Sequence, residues 1–194
     1  YVGVDRDPVS AERVAHVVNG PGRSVVNASA ADTGLPEASA DVVFGEAYLT
    51  MQPASQKAKI MEELARVVRP GGRIGLHEVC FAPDDLDEER CGAIADDLQR
   101  TIKVNVTPLS LRGWTELLNE AGFDVDTTVT APLHLLEPRR LIADEGVLGA
   151  ARFVSRVARD SQARARVLAM RAAMHDNADH LQACVVTATR RSPN

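Results

Sequence analysis

Residues 60–79, IMEELARVVRPGGRIGLHEV, join a predicted helix to a predicted strand through a sharp turn. Apolar side chains recur at helical spacing from residue 54 to residue 69, which is typical of an amphipathic helix. Pro70 disfavours helix in the residue before it, and the two glycines that follow permit a tight turn. The segment 73–79 then predicts a strand. A helix that leads directly into an apolar strand is typical of an α/β fold.

The same alternation of strand-length and helix-length segments continues on both sides of this unit. Towards the N-terminus, Asp7 and Pro8 are a favoured N-cap and first helical residue. Towards the C-terminus, Ser110 is a predicted N-cap, and Gly122 ends the helix that follows it. Apolar runs predict further strands at residues 1–5, 24–28, 40–47, 123–131 and 181–190. This order predicts a mainly parallel sheet with helices on both faces and an antiparallel C-terminal edge strand.

The composition of the 194-residue chain fits one domain that spans residues 1–194. Hydrophobic residues make up 45% and charged residues 25%, so neither disorder nor a fibrous structure is indicated. The net charge of −5 argues against nucleic-acid and anionic-membrane partners, because both need clustered Lys and Arg. The three cysteines lack metal-ligand spacing and cannot all pair, which favours reduced thiols and a cytoplasmic location.

Polar residues follow several predicted strands at the point where each strand ends. Open α/β sheets bind ligands outside the carboxyl ends of their strands, so these residues form the candidate site. A carboxylate such as Asp5 can accept both hydroxyls of a ribose, although an Asp after a strand more often caps a helix. Asp32 can accept a hydrogen bond from an adenine amino group, with loop capping as the alternative. Gly45 and Glu46 follow the third strand.

Four segments taken together resemble the class I S-adenosylmethionine-dependent methyltransferases, in particular the small-molecule methyltransferases of quinone biosynthesis. The segments are YVGVDRDPVSAERV (1–14), NASAADTGLPEASADVVFGEAYLTM (27–51), IMEELARVVRPGGRIGLHEV (60–79) and SLRGWTELLNEAGFDV (110–125). The combination of LP, ADVV and RPGG is rarely met outside this family. The resemblance runs from Tyr1 to about Val129, and ACVVTATR (183–190) suits the family's antiparallel seventh strand. It implies a Rossmann-like fold and S-adenosylmethionine as the cofactor.

The resemblance assigns cofactor roles to the strand ends. Asp5 would bind the ribose hydroxyls, and Arg6 would lie against the adenine, with a solvated arginine as an equal alternative. Asp32 would accept a hydrogen bond from the adenine amino group, with Thr33 beside it in the loop. The turn at Gly45–Glu46 would line the sulfonium and the methyl group.

The glycine-rich first motif of the family has no counterpart in this sequence. In the family it lies on a central strand, between the strands that correspond to residues 1–5 and 41–45. We therefore expect that the natural protein is longer and that the motif precedes Tyr1. Without that strand the sheet would be split. A second copy of the chain could then supply the unpaired edge, which makes a homodimer a further expectation.

Methyl transfer from a sulfonium mainly requires an aligned acceptor and the exclusion of water, so a base is needed only when the acceptor must lose a proton. The candidates for that base, or for orienting the acceptor, are Glu46, Tyr48, His77 and Glu78. Glu46 comes first because it would lie beside the methyl group. Strand alternation is expected to bury His77, which favours a hydrogen-bonded core histidine over a base. No second histidine stands at helical spacing, so no metal site is predicted.

The expected acceptor is a small, partly apolar organic molecule, methylated on oxygen, nitrogen or carbon. Its contacts would come from residues 81–106 and 133–174, which are the parts least like the family. Their apolar composition would also suit plain core packing. Two other functions stay open: a non-catalytic interaction or regulatory module of the same fold and, less favoured, an NAD(P)-dependent oxidoreductase. The oxidoreductase is less favoured because nothing resembles a catalytic Tyr-x-x-x-Lys segment.

Overall fold

The computed structural model describes residues 1–18, 20–133 and 138–192, and the strands in these ranges form two sheets. The strands are β1 (Val2–Asp5), β2 (Ser24–Asn27), β3 (Ala40–Glu46), β4 (Val68–Phe81), β5 (Leu109–Ser110), β6 (Phe123–Pro132) and β7 (Leu181–Arg190). β1 and β2 pair in parallel as one sheet. The larger sheet has the order β3-β4-β7-β6, and the short β5 pairs with the end of β4.

Helices connect the strands and cover part of both sheets. They are α1 (Pro8–Val17), α2 (Ala54–Val67), α3 (Glu88–Ile102), α4 (Leu111–Glu120), α5 (Pro138–Arg159) and α6 (Ser161–Asp176). α1 packs on β1 and β2, whereas α2 and α4 pack on the larger sheet. A 3-10 turn at Ala178–His180 leads into β7. Over the described ranges, no helix has the length and apolar character that crossing a membrane requires.

The predicted helix starts are confirmed by their side-chain caps. The Asp7 carboxylate accepts a hydrogen bond from the Ser10 N–H at 2.7 Å, and the Ser110 hydroxyl accepts one from the Gly113 N–H at 3.0 Å. α2 ends two residues earlier than the sequence predicts. The reason is that Val68 is already extended and pairs with β3, so the RPGG turn lies within β4.

Strand directions also agree with the prediction. β3 and β4 are parallel, whereas β7 runs antiparallel to both β4 and β6. The two C-terminal strands thus form an antiparallel edge, with β6 outermost and β7 one position inside it. β1 does not pair with β3 in the described structure, so the expected split in the sheet is observed there.

The main core lies between the larger sheet and helices α2 and α4. Trp114, Leu118 and Phe123 are fully buried in it, together with Ile74 and Leu76 of β4. On the opposite face of this sheet four apolar side chains are exposed, namely Val42, Phe44, Val129 and Val185. From Gly72 to Cys80, the even-numbered residues of β4 therefore face the core, and the odd-numbered ones face the open side.

A second, smaller core joins the two segments that are predicted to bind the acceptor. Ile94 and Leu98 of α3 pack with Ala173 of α6 and with Phe81 at the end of β4. The two segments therefore form one unit beside the carboxyl end of β4. Their part in acceptor binding stays a prediction, and residues 134–137 of the second segment lie outside the described residues.

Candidate functional site

Asp5 stands at the end of β1, where hydrogen bonds orient its backbone and its carboxylate. The Asn27 side-chain amide donates a hydrogen bond to the Asp5 carbonyl oxygen at 2.9 Å. The Asp7 N–H donates to Asp5 Oδ1, also at 2.9 Å. Within the described ranges Asp5 Oδ2 receives no hydrogen bond, and the residue is only half-buried. A carboxylate in this state can accept hydrogen bonds from a diol.

Arg6 and Asp32, two further predicted nucleoside contacts, have exposed side chains. A turn fixes the backbone at Asp32, whose N–H donates to the Ser29 carbonyl oxygen at 3.0 Å. The Asp32 carboxylate stands in the loop after β2, as the sequence indicates, and is accessible to a ligand. The nucleoside contacts of both residues stay predictions.

Thr33 is buried and engaged inside the protein. Its N–H and hydroxyl donate to Glu63 Oε1 of α2 at 2.8 and 2.5 Å. Arg66 donates to both oxygens of the same carboxylate and to the Leu35 carbonyl oxygen. Hydrogen bonds from Arg66, and further ones from Thr33, lower the pKa of Glu63 to about 2, although burial opposes this shift. Thr33 therefore anchors the loop to α2, which fixes the neighbouring Asp32.

Glu46, at the carboxyl end of β3, lies beside His77 of β4. They are register partners, and Glu46 Oε1 is 3.3 Å from His77 Nδ1. The prediction that His77 is buried is wrong, because its side chain is 48% exposed. The alternation of β4 runs the other way, with Leu76 and Glu78 in the core and His77 on the open face. The Glu46–His77 pair is thus accessible to a ligand at this edge of the sheet.

The turn after β3 folds Tyr48 back over Gly45. Ala47 has a φ of 52°, and its N–H donates to the His77 carbonyl oxygen at 2.8 Å. A Cβ on Gly45 would overlap the Tyr48 ring, so the glycine is needed for this close packing. Burial, and then the charge of Glu78, raise the pKa of Tyr48. The phenol is therefore protonated at neutral pH and is a poor candidate for a base.

Glu78 is a structural residue in this arrangement. It is 2% exposed, and its Oε1 accepts a hydrogen bond from the Leu49 N–H at 3.0 Å. Its Oε2 accepts from the Thr50 N–H at 3.0 Å and from the Thr50 hydroxyl at 2.6 Å. All three donors belong to the chain just after the turn. Glu78 therefore fixes the backbone that follows the turn and is not placed to take a proton from an acceptor.

Three charged side chains of α2 were not predicted as part of the site. Glu63 and Arg66 have the i,i+3 spacing of a helical ion pair, which is a signal in the sequence. Lys57 is 2% exposed although it is charged. It stands three residues before Ile60 on the apolar face of α2, and a lysine in such a position indicates buried polar contacts.

Strand order and strand directions together define the fold. A parallel sheet that closes with an antiparallel β7 between β4 and β6 is the Rossmann-like fold of the class I S-adenosylmethionine-dependent methyltransferases. Polar side chains stand at the carboxyl ends of β1, β2 and β3, where ligands bind in open α/β sheets. The predicted fold class is therefore confirmed.

Residues 1–76 match the family model described as a methyltransferase domain. An uncharacterized protein of Haemophilus influenzae is 33% identical over 130 residues, which cover 67% of this chain and 50% of that protein. The chain thus spans about half the length of the curated relative that it matches.

Two solved methyltransferase structures have the same fold at low identity. Geranyl diphosphate methyltransferase in complex with S-adenosylmethionine is 14% identical with a TM-score of 0.64, covering 97% of this chain and 68% of that one. Phosphoethanolamine N-methyltransferase 2 of Haemonchus contortus was solved with phosphomonomethylethanolamine and S-adenosylhomocysteine. It is 15% identical with a TM-score of 0.67, covering 98% of this chain and 43% of that one. At such identities the likeness shows the fold.

Proposed function

We propose that the protein transfers a methyl group from S-adenosylmethionine to a small organic acceptor. The observation that carries this proposal is the set of side chains at the strand ends. Asp5 after β1 has a carboxylate oxygen to which no described residue donates, Asp32 is exposed after β2, and the Gly45–Glu46 turn closes β3. The methyltransferase domain match over residues 1–76 supports the same assignment.

The nucleoside of the cofactor would be held by hydrogen bonds to carboxylates. Asp5 Oδ2 would accept from the ribose hydroxyls, and Asp32 would accept from the adenine amino group. Arg6, which is exposed beside Asp5, would lie against the adenine ring. Thr33 would act indirectly, because its hydrogen bond to Glu63 holds the loop that carries Asp32.

The Glu46–His77 pair would lie beside the sulfonium and the methyl group of the cofactor. The negative charge of Glu46 would balance the sulfonium, and its carboxylate would orient the His77 ring through Nδ1. A histidine that donates from Nδ1 has its lone pair on Nε2. An acceptor O–H or N–H would pass its proton to Nε2 as the methyl group moves to the acceptor atom, and S-adenosylhomocysteine would leave.

Acceptor specificity would come from the unit formed by α3 and α6. This unit stands at the end of β4, next to the edge that carries His77, and its core is apolar. An acceptor with an apolar body and one ionisable O–H or N–H fits that combination.

Calorimetry followed by a methyl-transfer assay tests the proposed function. The purified protein is titrated with S-adenosylmethionine and then incubated with labelled cofactor and a panel of phenols, amines and carboxylic acids. We expect binding, labelled product from at least one class, and a fall in turnover of about a hundredfold in His77→Gln with cofactor affinity unchanged. Arg73→Gln, an exposed odd-numbered position further back on β4, is the control. Binding without transfer to any of the three classes would favour the non-catalytic module.

A further inference from the structure

The ammonium group of Lys57 is buried among neutral oxygen atoms. Its Nζ donates to the Gln52 carbonyl oxygen at 2.8 Å, to the Thr107 carbonyl oxygen at 2.6 Å and to the Thr107 hydroxyl at 2.7 Å. Among the described side chains no carboxylate lies within ion-pair distance of it. Three acceptors match the three protons of an ammonium, because the Thr107 hydroxyl uses its own proton on Gln52.

The acceptors of Lys57 belong to two segments that are far apart in sequence. Gln52 lies just after the site turn, and Thr107 lies between α3 and α4. The segments are joined further by the Thr107 N–H, which donates to the Thr50 carbonyl oxygen at 2.8 Å. Asn105 adds a bond from its side-chain amide to the Met51 carbonyl oxygen at 3.2 Å. Lys57 therefore closes a junction between residues 49–52 and residues 105–107.

Glu78 also holds this junction, because it accepts hydrogen bonds from the Leu49 N–H, the Thr50 N–H and the Thr50 hydroxyl. We propose that Lys57 is a positioning residue: its ammonium holds residues 49–52 against residues 105–107 and so sets the position of the turn that carries Glu46 and Tyr48. This inference rests on the proposed function, because it assigns that turn to the methyl end of the cofactor.

The number of protons on Lys57 then determines how tightly the junction is held. A neutral amine has two protons for three acceptors, so its formation breaks one hydrogen bond of the junction. Burial lowers the pKa of Lys57 to about 8, and the negative charge of Glu78 opposes that shift. Among the described residues, Glu78 of β4 is the charged group that acts on the ammonium, and the same carboxylate also acts on Tyr48. The junction should therefore loosen as the pH rises through about 8.

Trp114, the only tryptophan of the chain, reports on this ammonium directly. Lys57 Nζ lies 5.6 Å from the centre of the Trp114 ring, and the ring is fully buried. The indole N–H is held by the Val79 carbonyl oxygen at 3.0 Å, so the ring orientation is fixed. A cation over the ring perturbs the indole, and loss of the charge should change its fluorescence.

The test combines this fluorescence with cofactor binding in the full protein. Trp114 emission is recorded from pH 6.5 to pH 9.5 in the wild type, in Lys57→Met and in Lys59→Met, an exposed control on the same helix. We expect a transition near pH 8 in the wild type and in Lys59→Met, and none in Lys57→Met. A transition that persists in Lys57→Met, or that is absent from the wild type, overturns the proposal.

Calorimetry with S-adenosylmethionine and with S-adenosylhomocysteine supplies the second readout. Lys57→Met should weaken S-adenosylmethionine about tenfold and S-adenosylhomocysteine less than about threefold, because only the former presents a sulfonium to the turn. The wild type should lose S-adenosylmethionine affinity between pH 7 and pH 9, which needs no variant to fold. Equal losses for both ligands, or no loss for either, contradict the positioning role. A wild type that binds neither ligand refutes the proposed function, while the fluorescence transition still tests the junction.

Discussion

The two halves of the candidate site differ in how they are held. The nucleoside half carries Asp5 and Asp32 on a sheet of two four-residue strands and is tied to α2 through Glu63. The methyl half carries the turn 45–48 at the end of β3, directly over the main core. A buried carboxylate organises each half: Glu63 in the first and Glu78 in the second.

This difference shows how exposed ligand-binding groups are given fixed positions. In both halves the side chains that would touch a ligand are accessible, and a buried carboxylate one layer deeper holds the backbone that carries them. Glu63 is paired with Arg66, whose side chain is 37% exposed, so solvent screens that pair. Glu78 accepts from neutral donors in a dry core, where each hydrogen bond matters more. The methyl half should therefore depend more strongly on its buried carboxylate.

Removing Glu78 should produce the largest loss of stability. Glu78→Ala leaves the Leu49 N–H, the Thr50 N–H and the Thr50 hydroxyl without partners in a buried site. We expect a loss of about 3–5 kcal/mol in the free energy of unfolding, measured by urea denaturation. Glu46→Ala, an exposed carboxylate in the same half, is the control and should change stability by less than about 0.5 kcal/mol. A Glu78→Ala protein as stable as the Glu46→Ala control would show that this carboxylate does not organise the methyl half.

Glu63→Gln should have a smaller effect that depends on pH. The folded-state pKa of Glu63, about 2, lies below its ordinary value of 4.5, so its contribution is complete above pH 4.5 and disappears as the pH falls towards 2. We expect a difference between wild type and Glu63→Gln on the order of 2 kcal/mol at pH 7, discounted for the exposure of Arg66. Urea unfolding at pH 7 and at pH 3 measures how far the difference shrinks. Glu62→Gln, exposed on the same helix, is the control. A pH-independent difference would rule out the ionised carboxylate as the anchor.

Gly45→Ala should destabilise the methyl half less than Glu78→Ala does. The new Cβ would overlap the Tyr48 ring, and overpacking of this kind costs about 1–3 kcal/mol. Gly75→Ala is the matched control on the neighbouring strand, since its Cβ would meet the nearest side chain at an ordinary 3.8 Å. Thermal unfolding of both variants compares them. If Gly45→Ala is no less stable than Gly75→Ala, close packing of the ring is not the reason for a glycine at this position.

Most of the helices and strands could be predicted because their signals, capping residues and hydrophobic periodicity, lie within the segments themselves. Asp7 and Ser110 are capping residues by chemistry, and the structure confirms both caps. The end of α2 was missed by two residues because pairing of Val68 with β3 overrides the helical pattern. A strand as short as β5 has no period to detect, and only its pairing with β4 defines it.

The site was predicted less completely because burial depends on packing between elements. Alternation alone does not say which face of β4 meets the core, so His77 was placed inside and Glu78 remained a candidate base. In the structure His77 is exposed and Glu78 is buried. Thr33 was predicted beside the cofactor, yet its hydroxyl is bound to a helix thirty residues further along the chain. Long-range hydrogen bonds of this kind leave no pattern in a single sequence.

The most direct test of the central claim is a calorimetric titration of S-adenosylmethionine into the wild type, Asp5→Ala and Asp32→Ala. Each variant removes a carboxylate that we assign to the nucleoside, and the loss of a charge-assisted contact at Asp5 should cost about 1.5–3 kcal/mol, or about tenfold to a hundredfold in affinity. Glu120→Ala, an exposed carboxylate at the far end of α4, should bind like the wild type. We predict binding by the wild type and a clear loss in both Asp variants. Unchanged affinity in both would contradict the assignment of these strand ends to the cofactor.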